Sequence, residues 1–223
     1  MVSENIAKIG AMLPASVRLV AVSKLKPVAD IVEAYEAGQR LFGENYAAEL
    51  RDKQPQLPPD VEWHFIGHVQ SKQIKYYINY VSLIHGVDSL DHLNAIGREA
   101  QKVGRAVRVL LQLHVASEET KFGFAPSEVE ALCELPPVPG VQVCGVMGMA
   151  SHTSDTKRVR DDFRTVRRVF ERLKSGIFAA NDDFCEVSMG MSHDWQVAVD
   201  EGSTLVRLGT SIFGERDYSK QKN

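Results

Sequence analysis

The chain has 223 residues, with 26 basic and 29 acidic side chains, a formal net charge of −3, and 44% apolar and 25% charged residues. That composition is ordinary for a globular protein, and the slight acidity gives no general attraction to nucleic acid or anionic lipid. Cys133, Cys144 and Cys185 stand far apart with no CxxC pair, against a disulfide framework or a zinc site. No apolar run approaches the length of a membrane span, and Met1 to Leu13 carries Glu4 and Lys8 where a signal peptide needs an apolar core. The expectation is a cytoplasmic protein with no membrane or nucleic-acid partner.

The chain opens with a helix-compatible segment, 3–13, in which Ile6, Ile9 and Leu13 recur at helical spacing behind Ser3 as a candidate cap. Short apolar runs then alternate with longer helix-compatible stretches. Strands are expected at 17–23, 40–42, 61–66, 82–85, 107–115, 142–147, 184–187 and 204–208. Helices are expected at 28–37, 47–53, 70–79, 89–102, 126–135, 157–174 and 194–201, and the proline-rich 54–59 reads as a loop. Near-continuous apolar strands separated by helices indicate a parallel sheet buried on both faces. Eight such units favour an α/β fold closed as a single (β/α)8 TIM-like barrel over an open doubly wound sheet. No GxGxxG follows the first strand, and neither linker nor repeat interrupts the chain, so one domain is expected over 1–223.

Barrels of this kind carry their active groups at the carboxyl ends of the strands. Lys24 closes the first strand on the face of Val20 and Val22. There it is either a lysine snorkelling to solvent beside a carboxylate, or a partly desolvated amine able to attack a carbonyl. Lys26, beside Pro27, reads as a loop lysine. After the seventh strand come Gly190 and Ser192, and after the eighth Gly209, Thr210 and Ser211. Small residues and hydroxyls at these two loops read either as helix caps or as an anion cradle, the place where barrels often hold phosphate. Arg207 interrupts the last strand and points inward, either to pair with Glu44 or Asp88 or to meet a ligand's acceptor atom. His64, His68, His85 and His114 fall near strand ends without a metal-binding helix motif, and read as hydrogen-bonded core or rim residues. Met147 and Met149 read as core filling, and the basic run 157–168 as the solvated face of a helix.

Several motifs carry more than this. They are Ala21-Val22-Ser23-Lys24 with Lys26-Pro27, Phe42-Gly43-Glu44-Asn45-Tyr46 and Trp63-His64-Phe65-Ile66-Gly67. Further on come Ser188-Met189-Gly190-Met191-Ser192 with Asp194, Gly202-Ser203, and the run from Val206-Arg207-Leu208-Gly209-Thr210-Ser211 to Phe213-Gly214. Their order and spacing resemble the pyridoxal-phosphate homeostasis protein family over nearly the whole chain. The resemblance implies a barrel related to the amino-terminal domain of alanine racemase, of pyridoxal-phosphate fold type III, with an extra N-terminal helix. It implies that pyridoxal 5′-phosphate, the vitamin B6 cofactor, is bound covalently by Lys24 as an aldimine. By the same resemblance Ser192, Gly209 and Thr210 hold the phosphate, Arg207 faces the pyridine nitrogen, and Asn45 and Met147 line the ring. No catalytic residue and no metal ligand is implied. His114 stands where family members often carry asparagine, and Lys72-Gln73 where they often carry Asn-Lys.

An arginine beside the ring nitrogen disfavours its protonation and weakens the ring as an electron sink. Resemblance to alanine racemase implies a second base, a tyrosine from an extra β-domain supplied across a dimer. A chain ending at Asn223 leaves no residues for that domain. The expected function is therefore a monomeric protein that binds, buffers and releases the cofactor, influencing amino-acid and keto-acid balance, with pyridoxal-phosphate-dependent apo-enzymes as recipients. One alternative is an amino-acid racemase using Lys24 and a second base from His64, Tyr46 or His114. Another is a cofactor-free aldolase that uses Lys24 on a phosphorylated sugar.

Overall fold

The computed structural model describes residues 1–118, 122–134 and 136–215. Eight parallel strands close into a barrel in sequence order: β1 (Arg18–Val22), β2 (Leu41–Glu44), β3 (Glu62–Phe65), β4 (Val81–Val87), β5 (Val107–Leu113), β6 (Val141–Gly148), β7 (Glu186–Ser188) and β8 (Leu205–Leu208). Closure runs through β1 and β8, with Arg18 opposite Leu205 and Ala21 opposite Leu208. The helices are α1 (Val2–Met12), α2 (Val28–Glu36), α3 (Ala47–Lys53), α4 (Leu90–Lys102), α5 (Val129–Cys133), α6 (Thr156–Ser175), α7 (Trp195–Asp200) and α8 (Thr210–Phe213). Each strand is covered on both faces, which is why β5 is buried at every position but Arg108. Among the described residues, no helix is long and apolar enough to cross a membrane.

The outer core lies between strands and helices. α6 shows how the sequence builds it: Val159, Phe163, Val166, Val169, Phe170 and Leu173 recur at helical spacing and are buried. Asp155 caps the helix by accepting from the Lys157 amide at 2.9 Å. Its basic face is ion-paired as well as solvated, with Arg160 and Arg164 both reaching Glu201 beyond α7. Inside the barrel, polarity changes with depth. At the amino-terminal ends Arg18 and Arg108 converge on Glu186. Above them lies an apolar layer of Val20, Leu83, Leu110, Cys144, Met147 and Leu205. Toward the carboxyl ends the interior holds His64, His85, Ser188 and Arg207, all buried.

Three local expectations need correction. The segment expected as a helix over 70–79 is a short 3-10 helix, Ser71–Tyr76, because the aromatic and β-branched run from Tyr76 to Tyr80 is poor helix material. The helix expected at 126–135 is divided into a 3-10 turn, Pro126–Glu128, and α5, and Leu135 lies outside the described residues. Ser3 does not cap α1, which starts behind Met1; its amide and hydroxyl both donate to Glu33 of α2, at 3.1 and 3.3 Å.

Candidate ligand-binding site

At the carboxyl ends of the strands a cavity of about 260 Å³ is lined by Lys24, Asn45, Ser192, Arg207, Gly209 and Thr210. Val22, Ile66, Met149 and Met191 add apolar wall, and His193 stands at its edge. Six of the seven residues assigned to the site from the sequence therefore meet around one space. Met147 does not. It is buried in the apolar layer with Leu110 and Cys144, and Met149, two residues closer to the barrel mouth on the same face, takes the place in the wall.

Arg207 is 5% exposed, and its guanidinium donates to the Ser188 hydroxyl at 2.5 Å and to the Gly148 carbonyl at 3.1 Å. Neither expected carboxylate partner reaches it. Glu44 pairs with Lys53 at 2.7 Å, and Asp88 with His92 at 2.6 Å and His68 at 3.1 Å. Burial brings the Arg207 pKa down to about 10, partly opposed by the charge of Asp194. The group is still a cation at neutral pH, held at the cavity with neutral hydrogen-bond partners, and it favours an electron-rich ligand atom.

Behind Arg207 runs a buried chain of neutral groups. Ser188 Oγ lies 2.9 Å from His85 Nδ1, and His85 Nε2 lies 3.0 Å from His64 Nδ1. Burial lowers the His64 pKa to about 3 and that of His85 well below the usual imidazole range. Because Ser188 Oγ accepts from Arg207, its hydroxyl hydrogen goes to His85 Nδ1, which leaves His85 Nε2–H to donate to His64 Nδ1. His64 and His85 are thus core histidines, as expected. His68 and His92 belong to the rim, where His68 stacks on Phe122 at 4.0 Å. Among the described residues, no group of three histidine, cysteine or acidic side chains is placed to hold a metal ion.

The loops after β7 and β8 form the opposite wall. The amides of Gly209 and Ser211 both point at Ser192 Oγ, each at 3.4 Å. These contacts are long for N–H donors, so the two amides are only loosely engaged. Ser192 comes into reach because the β7 turn is tight. Gly190 has φ +97°, a Cβ there would lie 2.6 Å from the Ala198 Cβ, and Asp194 Oδ1 accepts from the Met191 amide at 2.6 Å. A hydroxyl and two loosely held amides, with exposed Thr210 beside them, make a site suited to an oxyanion. A larger hollow of about 440 Å³ lies near the start of α4, but Asp88, Asp91 and Glu128 line it and oppose an anion.

The family model described as alanine racemase, N-terminal domain, matches residues 1–217. The pyridoxal phosphate homeostasis protein of Bos taurus is 39% identical over 216 residues, covering 92% of this chain and 79% of that protein. The chain belongs to the pyridoxal phosphate homeostasis protein family. Among solved structures, PipY of Synechococcus elongatus PCC7942 with PLP bound has a TM-score of 0.86 at 36% identity, covering 96% of this chain and 100% of that one. Alanine racemase from Bartonella henselae with covalently bound pyridoxal phosphate shares the fold alone, with a TM-score of 0.73 and 17% identity over 100% of this chain and 61% of that one. The family resemblance carried by the motifs and the closed barrel expected from the alternation of elements both hold.

Proposed function

We propose that this protein binds pyridoxal 5′-phosphate through a reversible covalent bond to Lys24, and that it holds and releases the cofactor rather than turning over a substrate. The observation that carries this is the grouping of an amine, a buried arginine that no carboxylate among the described residues contacts, and an oxyanion cradle around one small cavity. Ser192, Gly209 and Thr210 would hold the phosphate, Arg207 the ring nitrogen, and Asn45 and Met149 the ring itself. When bound, the cofactor supplies an aldehyde that amines can condense with. Lys24 would supply the amine for that condensation, its neutral nitrogen being the nucleophile. Water would reverse the bond and free the cofactor, whereas an amine from another molecule would take the place of Lys24 and carry the cofactor away bound to itself.

The placement of the remaining groups supports a holder over a racemase. Arg207 as a fixed cation disfavours protonation of the ring nitrogen and so weakens the electron withdrawal that racemisation needs. A racemase also needs a base on each face of the substrate carbon. Of the expected candidates, His64 is buried on His85, the His114 ring is tied to the Glu118 carbonyl at 2.9 Å, and Tyr46 lies in an adjoining hollow; none lines the cavity. The relatives' names likewise describe homeostasis and no reaction. The reading takes 1–223 as one domain, monomeric and cytoplasmic, with pyridoxal-phosphate-dependent apo-enzymes as recipients. It requires transfer to a purified apo-enzyme faster than release into buffer.

A visible absorbance band should appear when the purified protein is mixed with pyridoxal 5′-phosphate and disappear on borohydride reduction; absence of any band would favour the cofactor-free aldolase. Thr210→Val removes one phosphate donor and should weaken retention by about 1.5–3 kcal/mol, the range for hydrogen bonds to charged groups. An equilibrium titration that finds unchanged affinity in this variant would place the phosphate elsewhere.

A further inference from the structure

Both peptide groups flanking the Lys24 Cα are held from outside the barrel by one ion pair on α3. On the amino side, the Ser23 carbonyl accepts from Lys53 Nζ at 2.9 Å and from the Lys26 amide at 3.1 Å. On the carboxyl side, the Leu25 amide donates to Glu49 Oε2 at 2.8 Å. Glu49 and Lys53 are one helical turn apart, and the same Oε2 accepts from Lys53 Nζ at 2.7 Å. The remaining ammonium hydrogen goes to Glu44 Oε1 at 2.7 Å, an atom that also accepts from the Ser23 hydroxyl at 2.7 Å. Lys53 thus uses its full donor capacity. None of the three side chains lines the cavity.

The backbone they hold is strained. Leu25, directly after Lys24, has φ +60°, in the left-handed region that a residue with a side chain adopts at a cost. Such a conformation persists only where surrounding contacts over-determine it, and strain of this kind gathers at functional sites. Stability alone is a weak reason for the arrangement. Lys53 is 7% exposed and Glu44 fully buried, and desolvation offsets much of the attraction in a buried pair. Glu44 Oε2 is moreover buried without a hydrogen-bond donor.

We propose that Glu49 and Lys53, backed by Glu44, are positioning residues for Lys24: by pinning the peptides on either side of it they set the direction in which its amine leaves the end of β1. The inference rests on the reading of Lys24 as the covalent ligand of the cofactor. Glu49→Gln keeps the size of the side chain and removes the charge that holds Lys53. Small misplacements of a reacting group are costly, so this variant should form the covalent band with pyridoxal 5′-phosphate roughly tenfold or more slowly. Its affinity for pyridoxine 5′-phosphate, whose alcohol cannot condense with an amine, should be unchanged. Should Glu49→Gln lose its circular-dichroism signal, Lys53→Arg is read the same way, since it keeps the cation but spreads its donors in a plane. Equal rates in variant and wild type overturn the inference while leaving the Lys24 reading intact, and a parallel fall in rate and in pyridoxine 5′-phosphate affinity overturns it in favour of a merely structural role. Wild-type protein that binds pyridoxine 5′-phosphate but forms no band with pyridoxal 5′-phosphate overturns the Lys24 reading, and the inference with it.

Discussion

Lys24→Ala should abolish the visible band formed with pyridoxal 5′-phosphate while leaving the barrel folded. The side chain is half-buried at the barrel mouth and belongs to neither hydrophobic cluster, so its loss opens no core cavity. The contacts that fix its backbone go to the Ser23 carbonyl and the Leu25 amide, and both survive the substitution. Ser192, Gly209, Thr210 and Arg207 are untouched, so the variant should still bind the phosphate ester without a covalent bond. Lys26 is two residues away, but its ammonium is engaged by the carbonyls of Phe213 and Glu215 at 2.7 and 2.6 Å and does not line the cavity. It should not substitute for Lys24. An absorbance titration beside a thermal melt checks both halves: a persisting band, or a collapsed melt, would contradict the role given to this residue.

A second large effect is expected in acid. His64 and His85 titrate near pH 6.5 once unfolded, whereas in the folded barrel His64 is neutral down to about pH 3 and His85 is held well below its usual range. Between those limits the unfolded chain binds more protons than the folded one, so stability falls as the pH falls below about 6.5. Going from about pH 6.5 to 5, His64 alone should remove roughly 1–2 kcal/mol, and His85 adds to the loss in the same direction, against the ~5–15 kcal/mol typical of a folded domain. Burial raises the Glu44 carboxyl, which has the opposite sign and softens the loss. Urea unfolding across this range measures the slope. His64→Gln can still accept from His85 but does not titrate, and should lessen the slope by the His64 contribution. A flat profile in the wild type would mean that the two rings are not held neutral.

Much of this architecture is readable in the chain because a parallel barrel buries both faces of its strands, leaving apolar runs such as 107–113 that only helices separate. Lys24, Ser192 and Arg207 stand out for the same reason, as polar groups near the ends of apolar strands on the side where barrels bind ligands. The depth of a side chain along a strand is not encoded so plainly. Met147 and Met149 share a face by the two-residue period, and only the closed barrel shows which of them reaches the mouth. The partners of Arg207 come from Ser188 at the end of β7 and Gly148 at the end of β6, a serine and a carbonyl, whereas a sequence search for charge partners points to Glu44 and Asp88. Glu49 and Lys53 look like an ordinary i,i+4 surface pair on a short helix. Their role shows once α3 packs beneath the end of β1 and carries the pair under the Ser23–Leu25 backbone.

Borohydride reduction of the protein saturated with pyridoxal 5′-phosphate, followed by peptide mapping, puts the identity of the reactive amine to its most direct test. The added mass should fall on the peptide carrying Lys24, with no other lysine modified to a comparable extent. A label on Lys26 or any other lysine in its place, or no label, would contradict the assignment.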